Sequence, residues 1–138
     1  MTVELKFATL PAPLGLLAAH YWFNVHEPLA GRCDRWEVWQ APNAGGRSAG
    51  HLHCNLKAPE DGVGGGPARL AAQWQGADAL RLKAILEEAQ TRYPFCDHYA
   101  PWPGPNSNTF VAWVLRRAGI DFRLPWNAIG RNYKWQDG

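Results

Sequence analysis

Charge is sparse in this sequence, and neither sign dominates. Fourteen Lys and Arg against 12 Asp and Glu leave a net charge of +2 with the five His neutral. Nucleic acids and anionic membrane surfaces are normally met by concentrated basic patches, so neither is expected as a partner. Cysteine is scarce too. Three residues, an odd number, do not build a disulfide framework; they predict free thiols at Cys33, Cys54 and Cys96 in a reducing compartment, the cytoplasm. Long apolar runs are missing. The best membrane candidate, Ala8 to Ala19, is broken by Pro11, Pro13 and Gly15, and falls short of the roughly 20 apolar residues a spanning helix needs. Lys6 is the only early basic residue, so a secretory signal reads poorly. What is plentiful is Trp (eight), Gly (14) and Pro (11). In a chain of 138 residues, 46% of them hydrophobic, this describes one globular domain of short strands and long loops, with a groove lined by aromatic rings.

The first half reads as strands. Thr2–Leu10 alternates Val3, Leu5 and Phe7 with Glu4 and Lys6, the period of a half-buried strand that Pro11 and Pro13 stop. His20–Val25 and Trp36–Gln40 are short aromatic strands, separated by a ten-residue loop containing Pro28, Gly31 and Asp34. His51–Leu56 is a further strand, and Pro59–Pro67 a connector. Helices follow. Ala79, Leu82, Leu86, Ala89 and Tyr93 form one apolar stripe of a helix over Ala77–Arg92. A second helix starts around Asn106–Asn108 and runs to Ala118; its interior, Phe110–Leu115, is apolar all round and so is expected to be buried on most sides. The tail, Leu124–Tyr133, is irregular and aromatic and is expected to pack back on the core. The predicted class is α+β, a small antiparallel sheet packed on a buried helix.

The segment richest in chemistry is Trp102–Arg116. A Pro-Gly-Pro approach delivers Asn106, Ser107 and Asn108 to the mouth of the buried helix, where unpaired backbone N–H groups carry partial positive charge. An oxygen nucleophile there can be activated and a developing oxyanion stabilised. The competing job is capping, for which Asn, Ser and Thr are the preferred residues.

The string PGPNSNTF resembles the signature of a bacterial family of unknown function. His20, Arg35-Trp36-Glu37-Val38, the Gly62–Gly66 turn, Tyr93-Pro94, Ala128-Ile129-Gly130 and Tyr133 resemble further parts of it. More distantly, Asn106-Ser107-Asn108-Thr109-Phe110-Val111 is similar to the Asn-Cys-x-His-Phe-Val block of the circularly permuted papain-like superfamily, which includes NlpC-type peptidases and lecithin:retinol acyltransferase-like proteins. There the Cys is the nucleophile, and the catalytic His opens an earlier aromatic strand, as His20 does in His20-Tyr21-Trp22-Phe23-Asn24-Val25. The resemblance implies a permuted papain-like (NlpC-like) fold over residues 1–138 and acyl transfer or hydrolysis at an amide or ester, with Ser107 in the place of the Cys and His20 as base. Trp39 falls near the third polar position of that group, and Glu37 is the nearest carboxylate able to orient His20. The alternative for His20 is a hydrogen-bonded core residue, and for Glu37 a solvated side chain or a pair with Arg35.

Two functional readings follow. One is a hydrolase or acyltransferase with Ser107, His20 and Glu37 catalytic, Asn106, Asn108 and the adjoining backbone binding the oxyanion, and Trp22, Trp39 and Trp102 lining a groove for a small molecule, lipid, glycan or peptide. The other is an inactive binding module of the same fold, in which Ser107 caps the helix. Neither needs a metal or organic cofactor. His51 and His53 share a strand face that suits a metal, with Cys54 pointing the other way, but no CxxC or HExxH spacing supports a site; solvent-facing His beside a buried free Cys is the expectation. The Gly62–Gly66 run lacks any phosphate-cradling pattern and reads as a loop. The oligomeric state is left open.

Overall fold

A computed structural model describes residues 1–10 and 18–136. Its backbone is α+β: a six-stranded antiparallel sheet and two helices. The strands are β1 (Thr2–Thr9), β2 (Ala19–Glu27), β3 (Arg32–Val38), β4 (Arg47–Ala49), β5 (Leu52–Cys54) and β6 (Arg69–Trp74), ordered β4-β5-β3-β2-β1-β6. The helices are α1 (Gly76–Arg92) and α2 (Ser107–Arg117). The expected stop at Pro11 and Pro13 lies outside the described residues.

Strand alternation sorts the side chains into two layers. Val3 and Leu5 of β1, Tyr21, Phe23 and Val25 of β2, and Trp36 and Val38 of β3 join Leu82 and Leu86 of α1 and Phe110, Val111 and Val114 of α2 in the main core. Ala79, Leu82, Leu86, Ala89 and Tyr93 are all buried, so the predicted stripe of α1 is the face it turns to the sheet. Within α2 only Ala112 of the apolar run retains partial exposure. Ala128 is buried, and Leu124 and Trp135 pack against the core, so the tail does fold back.

The opposite face of the sheet is polar and nevertheless covered. His20, Trp22 and Asn24 of β2 and Arg35 and Glu37 of β3 point there, each at most 4% exposed. Residues 57–67 lie over them. Pro59 O accepts from Trp22 Nε1 at 3.3 Å and from Asn24 Nδ2 at 2.9 Å, while Val63 packs with Trp22 and Ala8. A strand covered on both faces needs no apolar–polar alternation, which explains the unbroken run His20–Val25.

Several boundaries differ from those expected. The ten-residue loop after Val25 does not exist: β2 continues to Glu27, a 3-10 turn (Pro28–Ala30) reverses the chain, and β3 begins at Arg32. Gly31, at φ 61°, supplies the left-handed backbone that closes this hairpin. Arg32–Arg35 looked like loop because it is polar, but its backbone pairs with Glu27–Asn24. Trp39 and Gln40 fall beyond β3, and His51 and Asn55–Leu56 beyond β5. Strands β4 and β6 were not expected. β6 carries Arg69, Leu70 and Gln73 outward on a sheet edge, so it lacks a strong apolar period.

Candidate functional site

The polar face of the sheet holds a buried charge relay. Glu37 Oε2 accepts from His20 Nε2 at 2.7 Å and from Arg35 Nη2 at 2.9 Å. Arg35 Nε lies 2.8 Å from Glu37 Oε1, an ion-pair contact whose N–H is not aimed well enough for a hydrogen bond. Arg35 Nη1 donates to Ala58 O at 2.8 Å and Asp61 O at 2.7 Å, and its guanidinium lies 3.9 Å over the Trp22 ring. Trp22 thus serves as the floor under Arg35, and the covering loop supplies carbonyls for a charge that would otherwise be stranded. Arg35 was foreseen only as a rival partner for Glu37. Arg35-x-Glu37 places both on one strand face, and the carboxylate holds both neighbours at once.

The aromatic ring set around His20 is Trp22, stacked at 5.7 Å, and Trp39, edge-on at 5.2 Å. Lys57 Nζ sits 3.8 Å over Trp39. Burial lowers the pKa of His20, and this outweighs the opposing pull of Glu37; Arg35 and Lys57 add to the lowering. Burial works to raise Glu37, but its hydrogen bond and charge interaction with His20, together with the permanent charge of Arg35, bring it below the usual carboxylate range. A carboxylate accepting at Nε2 fixes the proton there in neutral His20 and leaves Nδ1 as the ring's lone-pair nitrogen.

At the mouth of α2 the polar residues divide their work. Asn106, not Ser107, is the cap. Its side chain accepts from Asn108 N at 2.9 Å and Thr109 N at 3.3 Å, and its own N–H donates to Thr109 Oγ1 at 3.1 Å. Gly130, at φ 100°, lets the chain pass beside this cap; a Cβ there would lie 2.2 Å from Asn106 Oδ1. Asn108 Nδ2 donates to Ala19 O at 2.8 Å and Ile129 O at 3.0 Å, tying the start of α2 to the start of β2, one residue before His20. Ser107 is the first helical residue and 7% exposed. Its Oγ has one hydrogen bond among the described residues, a long 3.5 Å contact to Asn108 Oδ1, and none to His20. Of the backbone N–H groups around Ser107–Asn108 expected to hold an oxyanion, Asn108 N–H is occupied by the cap; the cap leaves Ser107 N–H.

Trp102 stands apart from the His20 cluster. It is 75% exposed and lines an open groove of about 410 Å³ with Ile129, Gly130, Tyr133 and Lys134. The His51–His53 pair is spoken for. His53 is fully buried, not solvent-facing, with Nδ1 2.6 Å from Ser48 Oγ and Nε2 3.0 Å from Ala41 O. His51 Nδ1 lies 2.9 Å from Trp39 O and its ring stacks on Tyr99. Both are placed by β5 and its flanks: β5 runs between β3 and β4, which buries His53, while His51 just before it keeps partial exposure. Cys33, Cys54 and Cys96 are free thiols, and Cys54 is buried as expected. Among the described residues no helix is long and apolar enough to cross a membrane.

No curated protein and no solved structure matches the chain. A family model does, over residues 1–133, nearly the whole length. By that match the chain belongs to the family described as protein of unknown function, DUF3750.

Proposed function

We propose that this chain is a small hydrolase or acyltransferase acting on an amide or ester, with Ser107 as nucleophile and His20 as general base. The observation that carries the reading is the buried His20–Glu37–Arg35 relay. A carboxylate anchored by a guanidinium holds Nε2–H of a neutral imidazole and leaves Nδ1 able to take a proton, the arrangement a hydroxyl nucleophile requires. Ser107 supports it from the other side, because Asn106 does the capping and Ser107 Oγ has one weak partner among the described residues. In the proposed step Ser107 Oγ attacks the carbonyl carbon and its proton passes to His20 Nδ1, a transfer that requires the imidazole to be reached round the start of β2, because its side chain lies on the sheet face opposite α2. The tetrahedral oxyanion rests on Ser107 N–H at the helix mouth. Collapse breaks the bond to the amine or alcohol, which leaves with the proton from His20. Water or an acceptor alcohol then repeats the sequence on the acyl-enzyme. The resemblance of the Asn106–Val111 block and of His20–Val25 to the permuted papain-like superfamily adds to this reading.

A second reading is favoured by one observation: Ser107 Oγ is hydrogen-bonded to Asn108 and not to His20. On that reading the chain is a binding module for a lipid, glycan or peptide. A fluorophosphonate probe, followed by peptide mapping, separates the two. Covalent labelling of Ser107 that is lost in His20→Ala supports the enzyme. No adduct on folded protein at any pH from 6 to 9 refutes it and leaves the module.

A further inference from the structure

The far end of β2 carries a second cluster, on the same covered face of the sheet as the relay. Glu4 lies diagonally across the β1–β2 pairing from His26, whose register partner is Thr2, and Glu4 Oε1 contacts His26 Nε2. His26 is the direct register partner of Cys33 on β3, and Cys33 Sγ lies 3.8 Å from the same nitrogen. The covering loop adds Glu60, whose Oε2 is held by Lys6 Nζ at 2.9 Å. One imidazole nitrogen and one oxygen from each carboxylate lie within 4.8 Å of one another. Beside them Asn24, the register partner of Glu4, keeps a buried Oδ1 with no hydrogen-bond partner among the described residues.

We propose that Glu4, His26, Cys33 and Glu60 form a binding site for a divalent transition metal of the zinc type. One nitrogen, two carboxylate oxygens and one sulfur are a donor set that zinc accepts in tetrahedral geometry. Donor–metal distances of about 2.0–2.3 Å place tetrahedral donors roughly 3.3–3.8 Å apart. The Cys33–His26 spacing already meets that. Cys33 Sγ lies outside that 4.8 Å set and must turn toward the carboxylates, while Glu60, with a side chain 65% exposed, must leave Lys6 and move inward by about 1 Å. On binding, the Cys33 S–H proton is released to solvent as the sulfur–metal bond forms, and three anionic ligands face a doubly charged ion. The hydroxyl and amide chemistry near Ser107 plays no part. His20 and His26 are six residues apart on one strand, roughly 20 Å. The consequence is mechanical: strands β1, β2 and β3 become fastened to the loop that covers Arg35 and Glu37.

The test is a cobalt(II) titration of untagged, metal-free protein, read by absorbance. The expected result is one equivalent bound, with the visible bands of tetrahedral cobalt and the near-ultraviolet thiolate-to-cobalt band. His26→Asn and Cys33→Ser should each weaken binding at least about tenfold. Glu60→Gln should do the same at an exposed position, losing only the ion pair with Lys6; circular dichroism checks all three. Zinc should displace the cobalt and raise the Tm of the wild type but not of Glu60→Gln. No cobalt bound by folded wild type at millimolar metal, or equal binding by wild type and all three variants, would overturn the site. Neither result bears on fluorophosphonate labelling of Ser107, so the two proposals fail separately.

Discussion

His20 and Glu37 meet through one 2.7 Å hydrogen bond between side chains that are at most 5% exposed, and the same carboxylate oxygen also receives Arg35. Ordered in this way, an imidazole has one orientation and one tautomer available. The arrangement is costly to break because Arg35 has no water to fall back on: its guanidinium is wholly buried between Trp22 and the carbonyls of Ala58 and Asp61.

The first prediction concerns that cost. Glu37→Leu removes the counter-charge and leaves Arg35 buried and half-satisfied, and should destabilise the fold by about 3–5 kcal/mol. Arg35→Met should cost a similar amount, by leaving the carboxylate alone with His20. The double variant should cost clearly less than the sum, because the second change removes the charge that the first one stranded. Urea unfolding of the four proteins measures this. Strict additivity would mean that the relay contributes nothing as a pair.

Stability should also fall with pH in a defined window. His20 has its folded pKa below the ordinary 6.5, because of burial, so the unfolded chain takes up protons that the folded chain refuses. Its contribution is complete above about 6.5 and is lost as pH falls below that value. His53, lowered chiefly by burial, acts in the same direction. Glu37, depressed below its ordinary 4.5, contributes above that value and loses its share at lower pH still. Unfolding free energy should therefore drop between pH 7.5 and 5.5, and His20→Gln should shrink the drop without abolishing it, His53 supplying the rest. A flat profile in the wild type would contradict the burial of both imidazoles.

The cap assignment separates two adjacent residues. Asn106→Ala removes the group that accepts two α2 N–H donors and should cost about 0.5–2 kcal/mol. Ser107→Ala removes one long contact and should cost less than about 0.5 kcal/mol. Gly130→Ala drives a Cβ into the Asn106 amide from a backbone at positive φ and should behave like Asn106→Ala or worse. Thermal unfolding of the three variants orders them. A Ser107→Ala as harmful as Asn106→Ala would restore Ser107 to a structural role.

How far the sequence reveals this architecture depends on whether a signal is local. The stripe Ala79–Leu82–Leu86–Ala89 is local, and α1 follows from it. Asn106, Ser107 and Asn108 at a helix mouth are legible for the same reason, but which of them caps is not. That choice is made by Ala19 and Ile129, 89 positions upstream and 21 downstream of Asn108, whose carbonyls claim the Asn108 amide, and by Gly130, which leaves room beside Asn106. Glu37 as a neighbour of His20 follows from strand alternation once the hairpin is assumed, whereas the hairpin's polar half, Arg32–Arg35, carries no period to read. Pro59–Pro67 reads as a connector because it is rich in Gly and Pro; together with Ala58 its use is as backbone acceptors for Trp22, Asn24 and Arg35, which no side-chain pattern records.

The last prediction addresses the proposed chemistry through a thiol. Ser107→Cys places sulfur at the first residue of α2, beside unpaired backbone N–H; Asn108 ties this helix mouth to Ala19, the residue before His20, whose side chain turns to the opposite face of the sheet. If His20 Nδ1 faces that position, the new thiol should ionise well below the ordinary value of about 8.5 and react quickly with iodoacetamide at neutral pH. The native thiols offer a slow background. Burial, first of all, pushes Cys33 and Cys96 each up to about 11, and raises Cys54 as well. Peptide mapping by mass spectrometry then assigns the fast phase to position 107. Adding His20→Ala should return the rate to that of an ordinary thiol and move its pH midpoint upward. The helix terminus stays intact in that double variant, so the difference between the two proteins isolates the imidazole. A fast phase that persists without His20 would assign the activation to the helix mouth alone and remove His20 as the base. An ordinary rate in both proteins would leave Ser107 without an activating partner, and the binding-module reading would then account better for the relay as a device of stability.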